Sequence, residues 1–136
     1  MALPSVGGGY QTTDGNINET KLGIQPAPQT ATSTATLSVA QIIGGILLGS
    51  PGSSAASYTL PTVALLEATL TNAKVDSSFD LSICNVDGSG SGVITVLVGT
   101  GWTFVGLATV AATAGTSQMF RARKTGVGAW SIYRIG

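Results

Sequence analysis

Few side chains in this sequence could do chemistry, and their spacing narrows what that chemistry would be. Asp76 and Asp80 lie four residues apart. Two carboxylates facing one bond are how most glycosidases divide their acid and base or nucleophile roles. No neighbour in sequence would tune their pKa values, so the pair reads as solvated acids at a turn and a strand face. Asp76, Asp80 and Asp87 could also offer oxygens to calcium, but they lack the dense Asp/Asn loop that calcium sites use. Cys84 is the single cysteine, with no histidine or lysine beside it to favour a thiolate. It reads as a small, half-buried side chain. The chain has no histidine, which removes Ser-His-Asp and Cys-His nucleophiles and histidine-based zinc sites. No phosphate-binding glycine loop occurs, and the run Gly88-Ser89-Gly90-Ser91-Gly92 lacks the lysine of one such motif and the third glycine of the other. These absences predict a protein that is not an enzyme and needs neither metal nor cofactor.

Residues suited to contact are easier to find. Arg121, Arg123 and Lys124 form a basic cluster. In a strand, Arg121 and Arg123 share one face about 7 Å apart. They would meet acidic groups on a partner, or guard an edge strand against aggregation. A net charge of zero argues against direct nucleic-acid binding. Tyr58, Trp102, Phe104, Trp130 and Tyr133 could stack on sugars, but a small β core also needs aromatics to fill it.

The elements that would position these residues are mostly strands. Phe79, Leu81 and Ile83 alternate with Asp80, Ser82 and Cys84 over 78–86. Val93–Val98 is apolar on both faces, as expected of a central or partner-covered strand. Phe120 and Ala122 alternate with Met119, Arg121 and Arg123 over 117–124, and 129–135 closes the chain as another strand. Weaker strand patterns cover 34–39, 46–48, 57–60, 102–105 and 107–110, with a helical turn possible just after Val39. One helix is predicted over 62–70, opened by Pro61-Thr62, with Val63, Leu66 and Leu70 on a buried stripe beside Leu65 and Ala68. Short strands at intervals of about 10–12 residues predict a mainly β chain. The expected architecture is an antiparallel β-sandwich or jelly-roll-like barrel, with one short helix and an extended N-terminal arm.

Composition agrees. Only 9% of the 136 residues are charged, six acids against six bases, well under the roughly 25% of ordinary soluble domains. A neutral, charge-poor surface lacks the repulsion that keeps monomers apart, which favours a part in an assembly. Residues 1–33 form an arm rich in Gly, Pro, Thr and Gln, and 34–136 form the body. The arm's candidate contact residues are Tyr10, the basic step Lys21-Leu22, and Ile24. The start lacks a positive region followed by an apolar one, so no secretory leader is expected. The longest apolar stretch, Ile42–Leu48, is far shorter than the ~20 residues of a membrane span. A reducing cytoplasm suits the lone cysteine.

The body resembles a family of small virion proteins of tailed bacteriophages. The resemblance is carried by Leu37-Ser38-Val39-Ala40-Gln41-Ile42-Ile43-Gly44-Gly45-Ile46-Leu47 and by Tyr58-Thr59-Leu60-Pro61-Thr62. It continues in Ser78-Phe79-Asp80-Leu81-Ser82-Ile83 with Asn85, and in the ending Tyr133-Arg134-Ile135-Gly136. It covers about 100 residues and is closest to the capsid decoration, or cement, proteins. It implies a chain made in the host cytoplasm and carried on the capsid surface, self-associating as a homotrimer and gripping the major capsid protein. Fibre and tail-associated receptor-binding modules share the same flavour and form the alternative.

Overall fold

The computed structural model describes residues 23–136, so most of the arm, with Tyr10 and Lys21-Leu22, lies outside the described residues. The chain forms two sheets around one hydrophobic core. In chain order the first elements are β1 (Gln29–Ala31), β2 (Ala35–Thr36), helix α1 (Val39–Ile43), β3 (Ile46–Gly49) and β4 (Ala56–Thr59). Helix α2 (Val63–Thr69) precedes β5 (Ser78–Asn85), β6 (Ile94–Leu97) and β7 (Trp102–Val105). Then come β8 (Thr109–Val110), β9 (Thr116–Gly126) and β10 (Ala129–Arg134). Six strands make one sheet in the order β1-β3-β5-β9-β10-β7, and four make the other in the order β2-β4-β6-β8.

The mainly β, two-sheet expectation holds. The antiparallel expectation does not: five of the eight strand pairings are parallel. The cause is the winding. From β1 to β9 each strand lies in the opposite sheet from the one before it. A parallel neighbour needs a long crossover, and here the crossover is a strand of the other sheet. Thus β1, β3 and β5 stack in parallel, and β2, β4 and β6 do the same opposite them. Antiparallel pairing begins only when β8 and β9 fold back on β6 and β5.

Two further expectations change. A second helix, α1, fills the turn between β2 and β3. Ser38 accepts from the Gln41 N–H while the Gln41 side chain accepts from the Ser38 N–H, so reciprocal caps start it. The body also begins earlier than residue 34, because β1 pairs with β3. The predicted helix over 62–70 is α2, capped by Thr62 and burying Val63 and Leu66, whereas Leu65 is 58% exposed.

The sheets approach closely where β3 ends. A Cβ on Gly49 would lie 2.5 Å from Ile94 Cδ1 and 3.1 Å from the Tyr58 ring. The Tyr58 hydroxyl crosses the core to the carbonyls of Ala31 and Thr32, at 3.0 and 2.7 Å. Burial pushes its pKa up, which keeps it a neutral donor. Asn85, fully buried at the end of β5, is a second tie. Its amide donates to the carbonyls of Gly92 and Ala111 at 2.8 and 2.9 Å, and its Oδ1 accepts from Gly88 N–H at 2.7 Å. One side chain thereby joins the loops that lead into β6 and out of β8.

Gly49→Ala should therefore overpack the core and destabilise the protein by about 1–3 kcal/mol. Asn85→Ala, which strands the buried Gly88 N–H and Gly92 carbonyl, should cost about 3 kcal/mol. Urea midpoints report both, and a wild-type midpoint in either variant would contradict the contact it removes.

Candidate functional site

The outer face of the six-stranded sheet carries a row of charged side chains, Asp80, Arg121 and Arg123. Strand β9 presents Phe120 and Ala122 to the core and Met119, Arg121 and Arg123 outward, as the alternation predicts. Its position differs from the guarded-edge reading: β9 lies between β5 and β10, in the middle of the sheet. Its charges are consumed locally. Arg121 donates Nε to Asp80 Oδ1 at 2.7 Å and Nη2 to Oδ2 at 3.0 Å, a two-bond fork. Arg123 reaches Asp76 Oδ1 at 2.7 Å and also donates to the Tyr133 hydroxyl at 3.3 Å. Lys124, whose side chain turns inward, meets Glu67 of α2 at 2.9 Å and the Ala73 carbonyl at 3.2 Å.

These pairs shift the groups that form them. The Arg121 guanidinium holds the Asp80 carboxyl below its ordinary range. Lys124, with help from the Trp130 indole N–H at 3.2 Å, does the same for Glu67. Arg123 lowers the Tyr133 phenol, seconded by Ser131. Asp76 sits at φ 74°, a left-handed conformation that Asp tolerates better than most residues. Its N–H donates to the Lys124 carbonyl at 2.9 Å, which fixes the turn before β5. Asp76 and Asp80 thus each bind a different arginine rather than acting as a carboxylate pair. Glu67 escapes sequence reasoning because its partner is 57 residues away, on an element whose direction the sequence does not give.

Beside the charged row runs an apolar one. Cross-strand register places Ile46 next to Ser82 and Ser82 next to Met119. Ile135 continues the row, its N–H donating to the Met119 carbonyl at 3.0 Å. Val105, the register partner of Tyr133, and Leu107 extend the apolar surface past β7. Met119, Ile135 and Val105 are all exposed, and Leu107 is 69% exposed. Strand β7 is a sheet edge with no Pro, Lys or other charge. The opposite sheet differs: its four strands hold no charged residue, and Thr36, Ser57, Thr59, Thr95 and Thr109 line its outer side together with the exposed Leu97.

The sequence-derived contact residues therefore separate. Arg121, Arg123 and Lys124 gather at β9, each already engaged. Ile24 is 98% exposed, and next to it Gln25 donates to the Gly44 carbonyl at 2.6 Å, clipping the incoming chain to the end of α1. The aromatic platform disperses: Tyr58, Trp102 and Trp130 are core residues, and Tyr133 is held by Arg123. Trp102 also donates its indole N–H to the Pro61 carbonyl at 2.8 Å. Among the described residues no group of three or more His, Cys, Asp or Glu gathers as metal ligands, and no helix is long and apolar enough to cross a membrane.

Because Glu67 and Asp80 titrate lower in the folded state than their ordinary 4.5 and 3.8, the unfolded chain takes up protons first. Their contribution is complete above the ordinary values and is lost as pH falls through the lowered ones. The urea midpoint should hold from neutrality to about pH 5 and drop below it. The double variant Glu67→Gln/Asp80→Asn should start lower at pH 7 and show a shallower acid decline; an identical pH profile would contradict both pairs.

No family model matches this chain, and neither the characterised proteins nor the solved structures include one similar to it.

Proposed function

We propose that this chain is a structural protein of a tailed-phage virion that decorates the outer surface of the capsid shell and stabilises it. The observation that supports this most directly is the outer face of the six-stranded sheet. Its described charges are neutralised within the chain, and an apolar band from Ile46 to Leu107 lies beside them. An exposed apolar surface of this kind marks a contact site. Such a face binds by shape and burial, which suits a repeating shell surface better than a soluble charged ligand. Self-association as a homotrimer would add strength: three weak, equivalent contacts to the major capsid protein gain from effective concentration. The N-terminal segment supplies a second grip, clipped to the body at Gln25. No catalytic role is assigned to any residue.

The test uses shells stripped of this protein. Met119→Lys/Ile135→Lys should leave the unfolding free energy within about 1 kcal/mol of wild type, since both sites are exposed, yet abolish co-sedimentation with shells. Deletion of residues 1–28, which spares β1, should weaken binding separately. Wild-type binding by the lysine variant would remove this face from the contact. Equal resistance of bare and decorated shells to heat and osmotic shock would sink the cement role.

A fibre or tail-associated receptor-binding module is the second reading. The feature that favours it is an uncharged cleft between α2 and β5. Binding of the isolated protein to host cells but not to shells would select it.

A further inference from the structure

The cleft between α2 and β5 has the composition of a sugar site. It encloses about 340 Å³, toward the lower end of the roughly 300–1,000 Å³ typical of small-ligand pockets. Its apolar side is Phe79 and Leu70, backed by Trp130, whose ring lies 5.8 Å from Phe79 at a tilt of 52°. Its polar side is Thr69, Thr71, Asn72, Ser77 and Ser78. Thr69 bonds the Leu65 carbonyl and Ser77 caps the Lys74 N–H. Among the described residues, the side chains of Thr71, Asn72 and Ser78 make no hydrogen bond to the protein. The Thr71 hydroxyl and the Asn72 amide are thus unengaged beside the half-buried Phe79 ring, whereas Ser78, paired with Arg123, lines the cleft at its backbone and alternates with Phe79 to the outer face.

The ligand class follows from what is present and what is not. No charged side chain lines the cleft. Lys124, behind it, is held by Glu67 and the Ala73 carbonyl, and Lys74, although in the same loop, does not line it, so an anionic ligand finds no counter-ion within the cleft. A purely apolar ligand would leave the rim unused. A neutral pyranose satisfies both sides: its C–H face stacks on an aromatic ring while its hydroxyls pair with Asn, Ser and Thr. The loop bearing Asn72 is already fixed, at Ala73 by Lys124 and at Asp76 by Arg123 and the Lys124 carbonyl. Little ordering would be needed on binding, which favours affinity.

We infer that this cleft binds a neutral sugar unit of a surface glycan through Phe79, Thr71 and Asn72. The site does not depend on the capsid reading, since it lies on α2 and β5 rather than on the apolar band.

The experiment is an NMR titration of the full chain with methyl β-glucopyranoside, methyl β-galactopyranoside and N-acetylglucosamine, each separately. At least one should give saturable shifts at Thr71, Asn72 and the Phe79 ring with a dissociation constant in the millimolar range. Thr71→Ala/Asn72→Ala, two exposed positions, should weaken that binding about tenfold with no change in thermal midpoint. Met119→Lys/Ile135→Lys should bind the sugar as wild type does, which separates this site from shell binding. Absence of saturable shifts with all three sugars would overturn the inference. So would wild-type affinity in the Thr71/Asn72 variant, or saturable binding only to the acidic sugar N-acetylneuraminic acid.

Discussion

Winding between two sheets is the constraint on which the rest of this molecule depends. A chain that changes sheet after nearly every strand cannot use tight hairpins within a sheet until its end. Its loops must instead span the ends of the sandwich, where backbone groups would otherwise be left unpaired. Asn85 and Tyr58 answer that problem. Asn85 binds the loops around β6 and β8 at one end. Tyr58 ties the β1–β2 connection across the core. Helix α2 answers it differently, at the start of β5, β7 and β10. Both indoles donate to this region, Trp102 to Pro61 and Trp130 to Glu67. A few buried polar groups therefore hold together what hairpins would hold in an antiparallel sandwich.

The same constraint explains which features were legible in the sequence. Alternation reports which face a residue occupies, so Leu81, Ile83, Phe120 and Ala122 were identifiable as core residues, and Arg121 and Arg123 as outward ones. Alternation carries no sign of strand direction, because its period is two whichever way the neighbour runs. Parallel pairing and the central place of β9 were therefore invisible. The basic cluster looked free because its acids, Asp76, Asp80 and Glu67, arrive from more than 40 residues away, as the register of β5 with β9 requires. Strand β1 was hidden for another reason. Three residues behind Pro26 and Pro28 have no periodicity to detect, and only their pairing with β3 makes them a strand. In α2 the stripe was correct at Val63 and Leu66. Leu65 fails because it faces a groove along the helix and not the core.

Charge scarcity takes on a sharper meaning in three dimensions. With three acid–base pairs formed inside the chain, Lys74, Asp87 and Arg134 are the described charged residues outside any ion pair. Exposed pairs of this kind contribute little to stability. Their effect here is on the character of the surface. Each pair cancels a field that would otherwise repel or steer partners, and leaves shape and apolar area to govern contact. A free monomer gains little from such a surface, whereas a subunit placed repeatedly on a neutral lattice gains from it at every copy.

The two sheets then divide the work. The four-stranded sheet shows water a face of Ser and Thr with no charge, which hydrates well and is interrupted by Leu97 at the end of β6. The six-stranded sheet shows an apolar band flanked by self-satisfied ion pairs, ending at the unguarded edge of β7. If one face of this body meets a protein shell, burial decides between them. Covering Met119, Ile135, Val105 and Leu107 removes apolar area from water at about 25 cal/mol per Å² and strands no charge, because the neighbouring arginines bring their own carboxylates. Covering the threonine face would instead require every hydroxyl to find a new partner. The asymmetry of the sandwich thus makes the six-stranded sheet the face that loses less on being covered.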